Sequence, residues 1–277
     1  MIISPFTPLF FLNRKADGRD SDYMQTFATT DKILIEVIGT TSDVVPDCSV
    51  FDGNGKFAFD VNLKTWDINL TDRLFFAEIS LGPGIYQMSM EGLGDSELFR
   101  VTDDARELAK TTLIQYSMKN NRQRKDAVFF INKMHYFFDW RVPGGFKDSG
   151  WSFGCESEQF VTPTSDIAQL YGLESTQKKF TLGNSQGCPV WFGAMLNRIL
   201  VCSHVYFDGV KYTRKESNVP ESSPVMEGVN SFVFTQTLQE SVNLDPKIEA
   251  ENHLVMRRVD DTDYRAVDDN NNNRIIY

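Results

Sequence analysis

The chain has 277 residues, of which 41% are hydrophobic and 24% charged, so it can bury a substantial core in one large or two ordinary domains. A net charge of −10 argues against a nucleic-acid surface as its main role, since such a surface needs a basic face. The four cysteines lie far apart without a Cys-x-x-Cys pair, which fits reduced thiols or one or two bridges rather than a dense disulfide framework.

Residues 1–30 are predicted to form an N-terminal arm. The apolar start is interrupted by Pro5 and Pro8 and lacks the basic segment of a signal peptide, so we expect it to pack on other structure. No run approaches the roughly 20 apolar residues of a membrane span. Synthesis in a cytoplasm without membrane insertion is therefore expected.

Residues 31–102 are predicted to form a β-sandwich-like domain. The segment 32–39 is rich in β-branched residues, which is typical of a strand. An Asp-Gly-Asn-Gly turn at 52–55 and a Gly-Pro-Gly turn at 82–84 each lie between apolar runs, and each predicts a hairpin. Five or six short strands at this spacing favour a small sandwich.

Residues 103–244 are predicted to form a second, β-rich domain, most readable over 177–221. Pro189 begins a helix predicted at 189–200, where its missing N–H has no cost. Apolar residues recur along this helix at helical spacing, at Phe192, Met195, Leu196, Ile199 and Leu200. The Asp-Gly pair at 208–209 then predicts a hairpin over 201–215, because a type I′ turn needs positive φ at both central positions.

Outside residues 177–221, the sequence of this domain has fewer turn and periodicity signals. Strands are predicted at Thr111–Ser117, Ala127–Ile131 and Ser231–Leu238. A helical turn is predicted at Thr102–Ala109 with Thr102 as its N-cap. A Pro-Gly-Gly loop is expected at 143–145, and 154–176 is predicted to be loop with one weak helical turn near Ile167–Tyr171.

These patterns together predict a mainly β fold with β-sandwich-like domains at 31–102 and 103–244 and one short α-helix in the second. The remaining residues, 1–30 and 245–277, would be terminal arms. The C-terminal arm is acidic and holds four consecutive asparagines at 270–273, a composition typical of a segment that folds poorly alone.

A basic loop between two predicted strands is the first candidate binding site. It gathers four cationic side chains, Lys119, Arg122, Arg124 and Lys125. Such a cluster can dock an acidic patch on a partner subunit, or it can simply be a solvated hairpin tip.

Aromatic side chains are the second candidate, because an aromatic face suits the apolar face of a sugar. The candidate glycan contacts are Trp66, Trp140 and Trp151, together with the adjacent pair Phe75 and Phe76. The alternative is that these aromatics form the β core.

Chemistry-bearing motifs are nearly absent, so we expect a protein that is not an enzyme and needs no cofactor or metal. The chain has three histidines and contains no zinc-protease, Walker A or nucleophile-elbow motif. One enzymatic hypothesis remains open. Cys188 lies at the start of the predicted helix, where the helix dipole would lower a thiol pKa, and His204 follows in the next strand. Both residues can equally be structural.

The segment 185–221 resembles a stretch of tail or baseplate proteins of tailed bacteriophages and prophages, of the distal-tail type. The matching features are Gly-x-Pro-x-Trp, Leu-Asn-Arg-Ile-Leu, Val-Tyr-x-Asp-Gly-Val-x-Tyr and Arg-Lys-Glu-x-x-Val-Pro-Glu, with weaker likeness at 172–185 and 141–146. The resemblance spans roughly residues 100–245 and consists of core and turn residues.

This resemblance implies a virion structural protein that forms a homo-oligomeric ring, often a hexamer. Such a ring links the tail tube to the tail tip or to a receptor-binding device, and it is synthesised in the host bacterial cytoplasm. The alternative is a carbohydrate-binding module that recognises a host-surface glycan. Assembly through exchanged terminal arms and added strands would suit the first hypothesis.

Overall fold

The computed structural model describes residues 1–11, 23–161, 163, 167–183, 185, 187–215, 221–225, 231–241, 265–267 and 274–276. The protein is mainly β, as the sequence predicts, with two helices among these residues. It is built from a β-sandwich followed by a β-barrel.

The sandwich consists of ten strands in two sheets. They are β1 (Ile2–Ile3), β2 (Gln25–Ala28), β3 (Ile33–Thr40), β4 (Cys48–Asp52), β5 (Phe57–Asp60), β6 (Lys64–Asp67), β7 (Asp72–Ile79), β8 (Gly84–Met90), β9 (Gly94–Asp95) and β10 (Phe99–Thr102). One sheet has the order β1-β3-β7-β6, and the other has the order β2-β10-β8-β4-β5 with β9 beside β8. This arrangement agrees with the β-sandwich-like character that the sequence predicts.

Strand β3 is buried on both faces, which explains its continuous apolar run. Ile33, Ile35 and Val37 belong to the sandwich core. Leu34 points to the other side and joins the core of the barrel. The strand therefore packs against both domains.

The described part of the predicted N-terminal arm, residues 1–30, contributes two strands to the sandwich. β1 pairs with β3, and β2 pairs in parallel with β10. Phe6 is completely buried between the two domains, and the Tyr116 hydroxyl donates a hydrogen bond to its carbonyl oxygen. Residues 1–11 thus pack against both domains.

The Gly-Pro-Gly turn at 82–84 does not form the predicted hairpin. β7 before it pairs with β3 and β6, whereas β8 after it pairs with β4 and β10 in the opposite sheet. The turn therefore carries the chain from one sheet to the other. The Asp-Gly-Asn-Gly turn at 52–55 does join paired strands, β4 and β5, as predicted.

Within its described residues, the second domain contains α1 (Ala105–Leu108), α2 (Val190–Ile199) and nine strands. The strands are β11 (Thr111–Ser117), β12 (Phe130–Ile131), β13 (Met134–His135), β14 (Phe138–Val161), β15 (Ile167–Leu182), β16 (His204–Phe207), β17 (Val210–Arg214), β18 (Glu221–Pro224) and β19 (Phe232–Glu240). They follow the order β15-β14-β11-β16-β17-β19-β18. Because β15 also pairs with β19, six of them close into a barrel.

Helix α2 fills the barrel core as the spacing predicts. Pro189 is its N-cap residue, and the predicted apolar stripe is buried throughout. Helix α1 confirms the predicted helical turn, although its N-cap is Asp104 rather than Thr102. The Asp104 carboxylate accepts the Arg106 N–H, while the Thr102 hydroxyl accepts the Asp104 N–H.

The hairpin β16–β17 turns at Asp208 and Gly209, whose φ values of 47° and 84° match the predicted turn. The strand predicted at Ala127–Ile131 is shorter than expected, since only Phe130–Ile131 pairs. Asn132 and Lys133 connect this strand to its partner β13, and both residues adopt positive φ.

The predicted tail at 245–277 lies largely outside the described residues. Its described part consists of β20 (Arg265–Val267) and β21 (Arg274–Ile276), which pair antiparallel. These six residues therefore have a local structure that the composition did not predict.

Candidate functional site

The main candidate surface is a two-stranded ribbon that extends from the barrel. β14 and β15 pair along their length, but β19 pairs with β15 only between Gln177 and Leu182. Beyond the pair Ser152 and Gln177, the two strands have no third strand beside them among the described residues. This corrects the loop predicted at 154–176, and it corrects the helical turn near Ile167–Tyr171. We define the ribbon as residues 153–161 and 167–176.

The ribbon is long and has two open edges. The segment 153–161 spans about 30 Å at the usual rise of a strand. Each outer edge presents backbone N–H and C=O groups that a further strand can pair with. A two-stranded hairpin without a covered face is only marginally stable in water. The ribbon therefore gains stability from any partner that covers it.

Large apolar side chains are exposed on the ribbon and at its base. They are Trp151 (48% exposed), Phe153 (77%), Phe160 (54%), Val161 (61%), Ile167 (61%) and Leu170 (61%). Trp151 and Phe153 lie at the base of the ribbon, and the other four lie towards its tip. Exposed apolar side chains grouped in this way are a mark of an interaction surface in a soluble protein.

The base of the ribbon is fixed by Lys178. Its ammonium lies 4.2 Å from the Trp151 ring centroid and 2.7 Å from a Glu240 carboxylate oxygen. It also donates to the Tyr212 hydroxyl at 3.1 Å. Burial lowers the pKa of Lys178, but the hydrogen bonds that its ammonium donates to Glu240 and Tyr212 outweigh this effect and leave the pKa raised. The cation therefore stays charged and orients the indole.

The ribbon is acidic. Between Trp151 and Gln177 the sequence has four acids, Glu156, Glu158, Asp166 and Glu174, and no lysine or arginine. The side chains of Glu158 and Glu174 are exposed. The ribbon thus combines exposed apolar side chains with one sign of charge.

The predicted basic loop lies between β11 and β12 and is built around Asn121. The Asn121 carbonyl oxygen accepts the N–H groups of Phe129 at 2.8 Å and Phe130 at 2.9 Å. Its amide donates back to the Phe130 carbonyl at 2.7 Å. These bonds hold the loop in one shape.

Three of the four predicted cations are exposed on this loop, namely Lys119, Arg122 and Lys125. The fourth, Arg124, is engaged within the chain. It pairs with Asp126 and its guanidinium lies 5.0 Å from the Phe6 ring centroid. Arg124 therefore connects the loop to Phe6 on its inner side, and the other three cations lie on its outer surface.

The loop and the ribbon lie at opposite ends of the barrel. β11 and β14 are antiparallel, with Tyr116 opposite Phe138, so the loop after Ser117 lies where β14 begins. β14 then crosses the barrel and emerges at the far end as the ribbon. The topology thus separates the acidic surface from the basic one.

Three of the predicted glycan-contact residues are buried. Trp140 is completely buried, with its ring centroid 5.1 Å from that of Phe192. Phe75 and Phe76 are also buried, one in each core. These rings cannot stack on a sugar in the folded protein. Trp66 is partly buried against the barrel core, and Trp151 is the predicted tryptophan that is half exposed.

The thiol hypothesis fails on its physical premise. Burial raises the pKa of the Cys188 thiol to about 12, the opposite of what a nucleophilic thiolate needs. Cys188 is buried, and its thiol donates to the Phe232 carbonyl. His204 instead packs near the rings of His135 and Phe137.

His135 lies beside the Ser117 hydroxyl, and their arrangement is that of a structural contact. The His135 Nε2 lies 2.6 Å from Ser117 Oγ and 3.1 Å from the Met118 carbonyl oxygen. Both side chains are buried, and burial lowers the pKa of His135 to about 4. The neutral imidazole thus satisfies neighbouring polar groups where β11 ends.

Neither helix among the described residues is long and apolar enough to cross a membrane. Within the same residues, no three His, Cys, Asp or Glu side chains come together as a set that could hold a metal ion. Comparisons of the chain with protein-family models, curated proteins and solved structures find no match.

The ribbon is the candidate surface that sequence reasoning missed. Both of its faces are exposed, so its apolar residues follow no two-residue period and give no strand signal. One signal was available in the sequence. The charge pattern from 151 to 177 is exclusively acidic, whereas the rest of the second domain mixes both signs.

Proposed function

We propose that this protein is a non-enzymatic structural component that assembles with copies of itself through the ribbon. The supporting observation is a ribbon about 30 Å long with exposed apolar side chains and two open edges. In isolation, this surface exposes apolar area and unpaired backbone groups to water. Assembly removes both from water, which is a favourable change.

The assembly that we propose is a homo-oligomeric ring, with six subunits as the leading stoichiometry, in the tail of a bacteriophage. The resemblance of residues 185–221 to distal-tail proteins supports this setting. In the virion, the ring would link the tail tube to the tail tip or receptor-binding device. Its partners would be these tail proteins, with neither nucleic acid nor membrane insertion involved.

The direct experiment measures the mass of the purified full chain by light scattering on a sizing column and images the same fractions by negative stain. We expect a discrete multiple of 31.6 kDa and ring-shaped particles. A monomer at all concentrations up to the solubility limit would contradict the proposal.

A second candidate function is favoured by one observation, the exposed aromatic pair at the base of the ribbon. The ring centroids of Trp151 and Phe153 are 6.2 Å apart, and both side chains are exposed. Such a pair can stack on the apolar face of a sugar. A glycan array with the full chain tests this, with Trp151→Ala as the variant. Signal for a defined glycan that this variant loses would support binding, and a flat array would exclude it.

A further inference from the structure

We propose that the ribbon of one copy binds the basic loop of a second copy, so that the subunits join head to tail. This inference rests on the proposed assembly and names the two surfaces that meet. The basic loop is residues 118–129, whose exposed cations are Lys119, Arg122 and Lys125.

The two surfaces are complementary in charge. The ribbon has acids without a balancing lysine or arginine in its sequence. The loop exposes three cations, and the one acid in its own sequence, Asp126, is already paired with Arg124. Complementary potentials of this kind set the register of an interface and speed its formation. Neither surface is neutralised by the described part of its own domain.

One chain cannot bring these surfaces together. β14 begins beside the loop and crosses the whole barrel before it becomes the ribbon. A contact between loop and ribbon therefore joins two copies. The two partners contribute different surfaces, which defines a heterologous interface that closes into a ring or continues as a filament.

A ribbon-to-ribbon contact is disfavoured by the same charges. Two ribbons side by side would bring together exposed acids such as Glu158 and Glu174 from each copy, and like charges facing each other destabilise strand pairing. The basic loop avoids this repulsion.

The backbone of the basic loop is preorganised by hydrogen bonds within the chain. The hydrogen bonds of Asn121 to Phe129 and Phe130 fix its backbone, and Ser4 donates to the Asp126 carbonyl oxygen at 2.7 Å. A surface that is already ordered loses little conformational entropy when a partner binds. The ribbon supplies the apolar part of the contact.

Two charge-reversed proteins test the pairing. The first reverses the loop, with Lys119→Glu, Arg122→Glu and Lys125→Glu. The second reverses the ribbon, with Glu156→Lys, Glu158→Lys and Glu174→Lys. A matched control reverses two lysines and one arginine elsewhere on the exposed surface, with Lys56→Glu, Arg106→Glu and Lys110→Glu. Circular dichroism verifies that each protein is folded.

The measurement is the oligomer fraction by light scattering as a function of concentration. We expect each reversed protein alone to need at least tenfold higher concentration to assemble, because like charges then face each other across the contact. The control should assemble like the wild type. An equimolar mixture of the two reversed proteins should regain assembly, since each then offers the other an opposite surface.

The outcomes separate this inference from the proposed function. If the loop-reversed protein assembles like the wild type, the ribbon binds elsewhere and the head-to-tail pairing is wrong, although self-assembly stands. If both reversed proteins fail and their mixture also fails, the charged pairing is overturned. If the wild type itself never assembles, the proposed function fails first.

Discussion

Asp31 and Arg141 form a bidentate ion pair that ties the sandwich to the barrel. Arg141 Nε lies 2.6 Å from Asp31 Oδ2, and Arg141 Nη2 lies 2.8 Å from Asp31 Oδ1. The side chains are only 11% and 1% exposed. Asp31 also accepts the Ala28 N–H, so each group is satisfied in a site with little water.

We expect Asp31→Asn to lower the free energy of unfolding by about 3 kcal/mol, because it leaves the Arg141 charge buried without its partner. Urea unfolding followed by circular dichroism measures this. The same substitution at Asp67, which pairs with Arg73 at an exposed site, is the control and should cost less than about 1 kcal/mol. Equal losses at the two sites would contradict the structural role of the buried pair.

Glu36 predicts a pH dependence of stability. It is completely buried beside the barrel. One carboxylate oxygen accepts the Val128 N–H, and the other has no hydrogen-bond partner among the described residues. Burial raises the pKa of Glu36 to about 8, although the hydrogen bond from Val128 lowers it. The folded state thus keeps a proton that the unfolded state releases near pH 4.5.

As pH rises between these two values, the unfolded state binds fewer protons than the folded state, so the free energy of unfolding falls. The slope is at most about 1.4 kcal/mol per pH unit. Glu36→Gln should remove this contribution, since the amide does not ionise, and Glu91→Gln at an exposed site should retain it. Urea titrations from pH 5 to pH 8.5 (about the range between the two pKa values) decide the matter. Parallel curves for wild type and Glu36→Gln would refute the assignment.

Gly144 and Gly145 are neighbours in β14, and a substitution at one can be compared with the same substitution at the other. The Pro-Gly-Gly loop predicted at 143–145 is therefore part of a strand. Gly144 has a φ of 118°, and an added Cβ would overlap the Thr181 carbonyl oxygen on the neighbouring strand. At Gly145 a Cβ would lie 3.6 Å from Thr112 Oγ1, an ordinary contact.

We expect Gly144→Ala to destabilise the protein by about 2–3 kcal/mol, and Gly145→Ala to cost less than about 1 kcal/mol. Thermal and urea unfolding of the two variants give the comparison. Equal losses of stability for the two variants would contradict the close approach of β14 and β15 at Gly144.

The cysteines are predicted to react unequally. Burial raises the pKa values of the Cys48, Cys188 and Cys202 thiols to about 12, whereas Cys155 is exposed on the ribbon. In the dilute native chain, a thiol reagent should label Cys155 first, with the site read by peptide mass spectrometry. Its labelling should slow as the protein is concentrated and the ribbon becomes covered. Rapid native labelling of Cys188 would contradict its burial.

The sequence predicts best where local chemistry and tertiary packing agree. Pro189 and the apolar stripe behind it specify helix α2 because the same residues both favour the helix and face the barrel core. At Asp208 and Gly209, the turn itself needs φ values that few other residue pairs accept. Both features are therefore readable without knowledge of the fold.

Prediction from sequence fails where contacts between distant parts of the chain determine the local structure. The glycines at 82 and 84 permit a turn, but whether the chain returns along the same sheet or crosses to the other depends on the whole sandwich. The ribbon has no buried face, so hydrophobic periodicity cannot mark it. Trp140 and Trp151 differ by burial alone, and only the closed barrel separates a core indole from an exposed one.

The central claim is that the ribbon drives self-assembly, and one comparison tests it most directly. Ser152 and Gln177 are opposite each other in the ladder, so residues 153–176 can be replaced by an Asn-Gly turn that leaves the barrel strands in register. Light scattering then gives the masses of the full chain and of the shortened, folded protein at equal concentrations. We predict a discrete oligomer for the full chain and a monomer for the shortened protein. The same oligomeric state in both would contradict the account.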